Sequence, residues 1–315
     1  MSLSTTADHA ESRLAPELHI DHGRRFHPGR TAAAVVVLFV LVWLAYTVIV
    51  NPNIHWDVIA KYQFAHVVFS GLWVTIQLTI ISTIVGVLIG IAVAVMQLSE
   101  NAVLRYSATL YIWFFRGTPL LVQLIFWYNL ALLFPHVSIA VPFGGPELIG
   151  WQTNQVITSF VAAILGLSIN EGAYMSQIVR AGIQAVPPGQ REAAESLGMS
   201  GRQVFGRVVL PQAMRVIIPP TSNQFISMLK TTSLVSVIAG ADLLTVAQHL
   251  YLANFEVIAL LMVASIWYLV LTTVASVGQY YVERHYAPER AERSSVGRRI
   301  RRNMRPGFGR AEELI

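Results

Sequence analysis

Residues 68–96 read VFSGLWVTIQLTIISTIVGVLIGIAVAVM, with no charged side chain among them. At about 1.5 Å of rise per helical residue, some 20 apolar residues cross the roughly 30 Å hydrocarbon layer of a bilayer. This run is longer than that. The composition around it points the same way. Of 315 residues, 12% are charged and 54% hydrophobic, where soluble globular chains carry about 25% charge. Half the usual charge cannot cover a water-soluble globule of this size, so much of the surface faces lipid.

Further apolar runs lie at Thr31–Val50, Thr118–Phe134, Ile157–Val179, Ile218–Leu244 and Val257–Val282. With the first, they predict six spans and an all-α integral membrane protein. Residues 1–30, with His9, His19, His22 and His27, read as a polar cytoplasmic tail. That tail is too long for a signal-peptide n-region, and no A-x-A site follows residues 31–50, which therefore read as an uncleaved anchor. Residues 66–285 form a five-span core, and 286–315 a basic tail. Asn51–His66 (Trp56, Tyr62) and Arg105–Phe115 (Tyr111, Trp113) read as interfacial segments. Thr118 and Pro119 suit the N-cap and first turn of a helix, and Pro219-Pro220 a restart of the fifth span.

Basic residues orient the chain. With the N-terminus inside, the outer loops 51–67, 135–156 and 241–257 hold Lys61 alone, and the inner segments hold nineteen arginines. Both termini are thus expected in the cytoplasm, with the basic tail free to meet anionic lipid. Several chemistries drop out. The chain has no cysteine, which removes disulfides and thiolate metal sites. Its two lysines, Lys61 and Lys230, follow alanine and leucine, not the glycine of a phosphate loop. Neither a metal cluster nor a hydrolase motif is present, and placement of the arginines along the inner side argues against nucleic acid.

The inner loop 186–215 is more than a connection. Pro187-Pro188-Gly189 breaks the chain, Gln190–Leu197 are good helix formers, and Gly198 suits a left-handed helix end. Ser200 can cap a second short helix through Val208, ended by Pro211. Two short helices meeting at a glycine make an elbow with apolar Met199, Val204 and Val208 beside Arg202 and Arg207. Packing against another protein explains this better than rest on headgroups.

These residues carry a resemblance. Glu192-Ala193-Ala194, then Gly198, then Val208-Val209-Leu210-Pro211, resemble the EAA loop of ABC importer permeases. Phe115–Gln123 (FRGTPLLVQ), Ala173-Tyr174 followed by Ile178–Ile183, and Phe225-Ile226-Ser227 running to Leu229–Leu234 resemble signatures of the polar amino-acid subfamily; Ser176 and Gln177 stand where it often has Ala-Glu. The resemblance implies one half of a type I importer pore in the cytoplasmic membrane, a transport subunit without catalysis of its own. A second permease, identical or homologous, would pair with it. A cytoplasmic ATPase dimer, holding ATP and magnesium, would grip Glu192, Ala193, Ala194, Gly198 and Pro211, and an external binding protein would deliver the amino acid.

Charges within spans need a partner or a watery cavity, because one at mid-bilayer costs about 2.5–3.5 kcal/mol. Glu171 and Lys230 lie mid-span, among Tyr174, Gln177, Thr231 and Ser233. Either these groups receive the two ends of a zwitterion, or Glu171 and Lys230 pair to lock helices. Arg116 reads as snorkelling to the inner surface. An ion-coupled carrier without an ATPase would also use Glu171, but leaves the elbow unexplained, and a non-transporting scaffold leaves the intramembrane charges unexplained.

Overall fold

The computed structural model describes residues 28–140 and 147–286. Most of the expected tails, with His19 and His22, and the loop tip from Val141 to Pro146 lie outside the described residues. The chain divides into two units, residues 1–54 and 55–315. In the first, α1 (Pro28–Ile49) opens on proline, whose missing N–H is no loss in a first turn, and Thr31–Ile49 has a mean hydropathy of 2.7.

The second unit begins with α2 (Trp56–Gln63), α3 (His66–Leu98), α4 (Ala102–Gly117) and α5 (Leu120–Tyr128). A two-stranded antiparallel hairpin follows, β1 (His136–Ala140) and β2 (Glu147–Gln152), with His136 opposite Gln152. Then come α6 (Thr153–Val156), α7 (Ser159–Gln184), α8 (Pro188–Ser196), α9 (Gly201–Gln203), α10 (Leu210–Thr231), α11 (Leu243–Asn254) and α12 (Val257–Tyr286). A π-helical stretch, Val204–Val209, joins α9 to α10, and a 3-10 stretch, Thr232–Ile238, prolongs α10.

Helices α3 and α7 pack in parallel along a seam of small residues. Ser82, Gly86 and Gly90 on α3 face Ser168, Gly172 and Ser176 on α7, each set at a spacing of four, and the three serines are buried. A Cβ on Gly90 would stand 2.5 Å from the Met175 Cβ, and one on Gly172 2.5 Å from the Ile89 Cγ2. Small side chains let membrane helices approach this closely, and the dispersion contact so gained replaces a hydrophobic drive that lipid does not supply. The Ser82 and Ser168 hydroxyls have no hydrogen-bond partner among the described residues. Their size is what the seam uses.

Three described helices are long and apolar enough to cross a bilayer: α1, α3 and α12. Two bent pairs of helices are together long and apolar enough for a broken span or a re-entrant loop. Helices α4 and α5 meet at a 100° corner, and the rod Gly201–Ile238 meets α11 at 45°. Helix α7 has the length to span, about 39 Å over its 26 residues, but is more polar. The run Thr118–Phe134 is thus not one helix. Thr118 closes α4, Pro119 is the N-cap of α5, and Arg105–Phe115 lies inside α4 instead of forming a separate segment. Likewise Ile218–Leu244 is interrupted. Pro219 and Pro220 sit inside α10 rather than at its start, and residues 241–257, expected as an outer loop, are mostly α11. The loop 135–156 holds the hairpin and α6.

Candidate functional site

A cavity of about 350 Å³ opens between α5, α7 and α10. Glu171, itself buried, projects from the middle of α7 into it, and Tyr174, one turn on, lines the same wall. Gln224 of α10 faces the carboxylate, its Nε2 3.4 Å from Oε1 and 3.3 Å from Oε2. Thr231 and Ser227 add hydroxyls to the lining, and the Thr231 hydroxyl donates to the Ser227 carbonyl at 2.9 Å. The Arg116 guanidinium stacks over the Tyr174 ring at 5.1 Å. This gives the cavity a carboxyl floor, an amide wall and an aromatic edge backed by a cation.

The structure does not bring all the expected residues together. Lys230 is exposed, and the ion pair found among the described residues is His55–Glu256, not Glu171–Lys230. Ser233 donates to the Lys230 carbonyl at 2.7 Å, away from the cavity lining. Gln177 meets Gln97 of α3 at 3.0 Å instead. Helical periodicity explains the divergence: Glu171, Tyr174 and Ile178 share a face, and Gln177 lies off it.

Two polar devices went unmarked in the sequence. The first repairs the α4–α5 corner, where backbone carbonyls lose their helical donors. The Gln123 Nε2 lies 3.1 Å from the Phe115 and Thr118 carbonyls and 2.7 Å from the Thr118 hydroxyl. Asn170, beside Glu171, donates to the Phe115 carbonyl at 2.8 Å and to the Gln123 Oε1 at 3.2 Å. Broken backbone at membrane depth survives only with such substitutes. The corner is therefore tied to the residue next to the cavity's carboxylate.

The second device holds the break before α11. Ala239 and Ala241 take left-handed φ values of 52° and 57°. Between them, a Cβ on Gly240 would fall 2.0 Å from the Val235 Cγ1. Asp242, fully buried, caps α11 by accepting from the Leu244 N–H at 3.0 Å and from the Thr245 hydroxyl; the Tyr268 hydroxyl donates to it at 3.4 Å. Thr75 of α3 accepts the Leu243 N–H at 3.0 Å. An Asp in the sequence Ala-Asp-Leu-Leu is an ordinary N-cap signal, and that local signal was the available clue.

At the other end of α7 stands the elbow. Helix α8 ends in a pair of bonds, Met199 N–H to the Ala194 carbonyl and Gly198 N–H to the Glu195 carbonyl, with Gly198 at φ +77°. This is the Schellman arrangement, which needs a left-handed residue. Ser200 then starts α9 with a capping box closed by Gln203, whose Oε1 accepts the Ser200 N–H at 2.9 Å. The second helix does not stop near Val208. It passes through the π stretch and continues as α10, with Pro211 in the first turn of α10. A π stretch shifts the hydrogen-bond register by one residue, so a proline, which has no N–H to give, is carried without ending the rod. Ala194, Val204 and Val209 of the elbow bury against Ala94 of α3, Val179 and Ile183 of α7, and Ala213 and Ile217 of α10. Glu192, Ala193 and Pro211 face outward, and Leu197 is 82% exposed. Among the described residues no group of three or more metal-ligating side chains occurs.

Comparison with known proteins agrees with this geometry. The family described as binding-protein-dependent transport system inner membrane component matches residues 86–288. The arginine transport system permease protein ArgU of Corynebacterium glutamicum is 44% identical over 261 residues, 82% of this chain and 81% of that protein. The L-cystine transport system permease protein TcyB of Bacillus subtilis is 37% identical over 232 residues, 73% of this chain and 91% of TcyB. Among solved structures, a chain of an amino acid ABC transporter crystallised with histidines aligns at TM-score 0.61 and 35% identity, covering 72% of this chain and 97% of that one. An inward-facing MetNI methionine ABC transporter aligns at TM-score 0.56 and 17% identity, a likeness of fold alone.

Proposed function

The chain belongs to the binding-protein-dependent transport system inner membrane component family, the permease subunits of ABC transporters, and on that premise we propose that it forms half the pore of an ATP-driven importer of polar amino acids. Its own residues supply a path and a lever. ATP and magnesium are held by a separate ATPase, whose movement reaches the pore through the elbow. An external binding protein loads the pore, and a second permease, identical or homologous, completes it. Both termini lie in the cytoplasm, as the arginine distribution argues.

The observation that carries this reading is the construction of the elbow. A loop that merely rested on headgroups would need neither a Schellman end nor a capping box, nor a core shared with three long helices. A lever needs all three, because a soft joint would dissipate the stroke. Its outward face, with Glu192, Ala193 and Leu197, is the surface offered to the ATPase. The ion-coupled carrier gains nothing from the relatives, and it leaves that surface without a purpose.

The cavity supports a polar amino acid as cargo. A buried carboxylate paired only with an amide calls for a cation. An α-ammonium or a basic side chain fits Glu171, with Tyr174, Gln224 and Thr231 completing the contact. Lys230, Gln177 and Ser233 stand outside this set.

Affinity purification of the tagged permease with its ATPase tests the proposal. Wild type is expected to retain the ATPase, and Glu192→Lys to lose most of it with the permease still folded. Full retention in Glu192→Lys, or gradient-driven uptake with no ATPase present, would sink it.

A further inference from the structure

A cavity of about 760 Å³, separate from the one holding Glu171, opens where the end of α3 meets α7, α8 and the π stretch. Its walls are mainly apolar, including Val95, Leu98 and Phe205, and three polar side chains reach it: Ser99, Gln184 and Arg191. Each of the three carries a hydrogen-bond donor. No carboxylate lines the cavity, and among the described residues Arg191 has no ion-pair partner. Ser99 accepts the Asn101 N–H at 3.1 Å, which leaves its own hydrogen to give. Three donors from three elements, one of them cationic, suit an oxyanion.

The approach to this cavity is apolar. Ile84, Leu88, Ile91, Val95 and Leu98 are all exposed and recur at helical spacing down one side of α3. They form a track roughly 20 Å long that ends in the cavity. One leaflet's hydrocarbon is about 15 Å deep, half the bilayer core. A single ligand class has a phosphate at one end and a rod of that length at the other.

We propose that this cavity binds an anionic phospholipid, its phosphate held by Arg191, Ser99 and Gln184 and an acyl chain lying along the α3 track. The inference rests on the reading above that the elbow faces the cytoplasm, since that puts Arg191 at the headgroup depth of the inner leaflet. Basic pockets between helix ends on that side are where acidic headgroups lodge. Bound there, the lipid bridges the end of α3 to α8, the outward half of the elbow, and makes the stiffness of that joint depend on membrane composition.

The chain has no cysteine, so Ile91→Cys offers a single labelling site on the track, clear of the cavity lining. The labelled permease is reconstituted into phosphatidylcholine vesicles with a small share of nitroxide-bearing phosphatidylglycerol or nitroxide-bearing phosphatidylcholine. Phosphatidylglycerol is expected to quench the fluorophore about fivefold more effectively, the preference one arginine gives near an anionic surface. That preference should vanish in Arg191→Gln and shrink in Gln184→Leu. Equal quenching by the two lipids in wild type overturns the proposal. So does absence of quenching by either, which would mean that a protein chain covers the track. Retention of the ATPase is measured on the same samples: its loss with the lipid preference intact faults the coupling reading and leaves this one standing.

Discussion

The elbow and the Glu171 cavity sit at different levels of the same helix, α7, and are built by opposite means. The elbow is local. Its turn is closed by bonds between residues three and five apart, Gly198 to Glu195 and Met199 to Ala194, and its second helix is capped by a residue three positions away. The cavity is assembled from afar: Gln224 reaches Glu171 across 53 positions, and Asn170 reaches Gln123 across 47. The turn and cap of a lever can be written in a dozen consecutive residues, even though its core is shared with α3, α7 and α10. A pocket for a guest needs several helices brought into register, and the α3–α7 seam supplies that register.

Filling the seam should abolish both regions together. Gly90→Val pushes a branched side chain into Met175 where a bare Cβ already stands 2.5 Å away. A loss of about 3 kcal/mol is expected, read as collapse of monodisperse yield and of the thermal unfolding temperature in detergent. A stable Gly90→Val would mean that α3 and α7 do not register the two regions. Glu171→Gln should separate them. Charge-assisted hydrogen bonds are worth about 1.5–3 kcal/mol, so substrate affinity in vesicles should fall at least about tenfold with ATPase binding unchanged. Unchanged affinity with poorer folding would make Glu171 a packing group.

Gly198→Val should do the converse. Open space surrounds Gly198, so nothing clashes, but a left-handed φ costs a substituted residue roughly 1–2 kcal/mol. Less ATPase should be recovered on the permease, with substrate affinity intact, and Gly198→Asn should restore most of it because asparagine tolerates that conformation. Ser200→Ala, which removes one half of the capping box, is worth about 1 kcal/mol and should appear as faster amide exchange across Gly201–Val204 alone. Smallest of all, Lys230→Met should leave substrate affinity within about fivefold, since an exposed charge of this kind contributes ~1 kcal/mol or less.

The same contrast explains what could be read from the sequence. Gly198 and Ser200 announce their roles because their chemistry is spent on neighbours in the chain. Pro211 misled: its missing N–H usually ends a helix, but the π stretch before it absorbs the mismatch, and no local rule anticipates that. Pro219 and Pro220 misled in the same way within α10. Glu171 stood out because charge is rare in an apolar run, yet its partner was read as Lys230 or a substrate, not Gln224. An amide in a polar stretch carries no mark of what it will meet. Gln123 enters only as the last letter of FRGTPLLVQ and Asp242 not at all, because each serves a break in a helix that hydropathy alone draws as continuous. Apolar runs report how much of the chain prefers lipid; they do not report where the rod snaps.

The seam between α3 and α7 has a mechanical corollary. Glycine and serine have almost no side chain to flex, so the two helices have little that is compressible between them. Glu171 and Ile183 are twelve positions apart on one shaft, about 18 Å by helical rise. A shove delivered at the elbow end of α7 would arrive at the carboxylate as nearly rigid travel, carrying α3 with it as though the pair were a single strut.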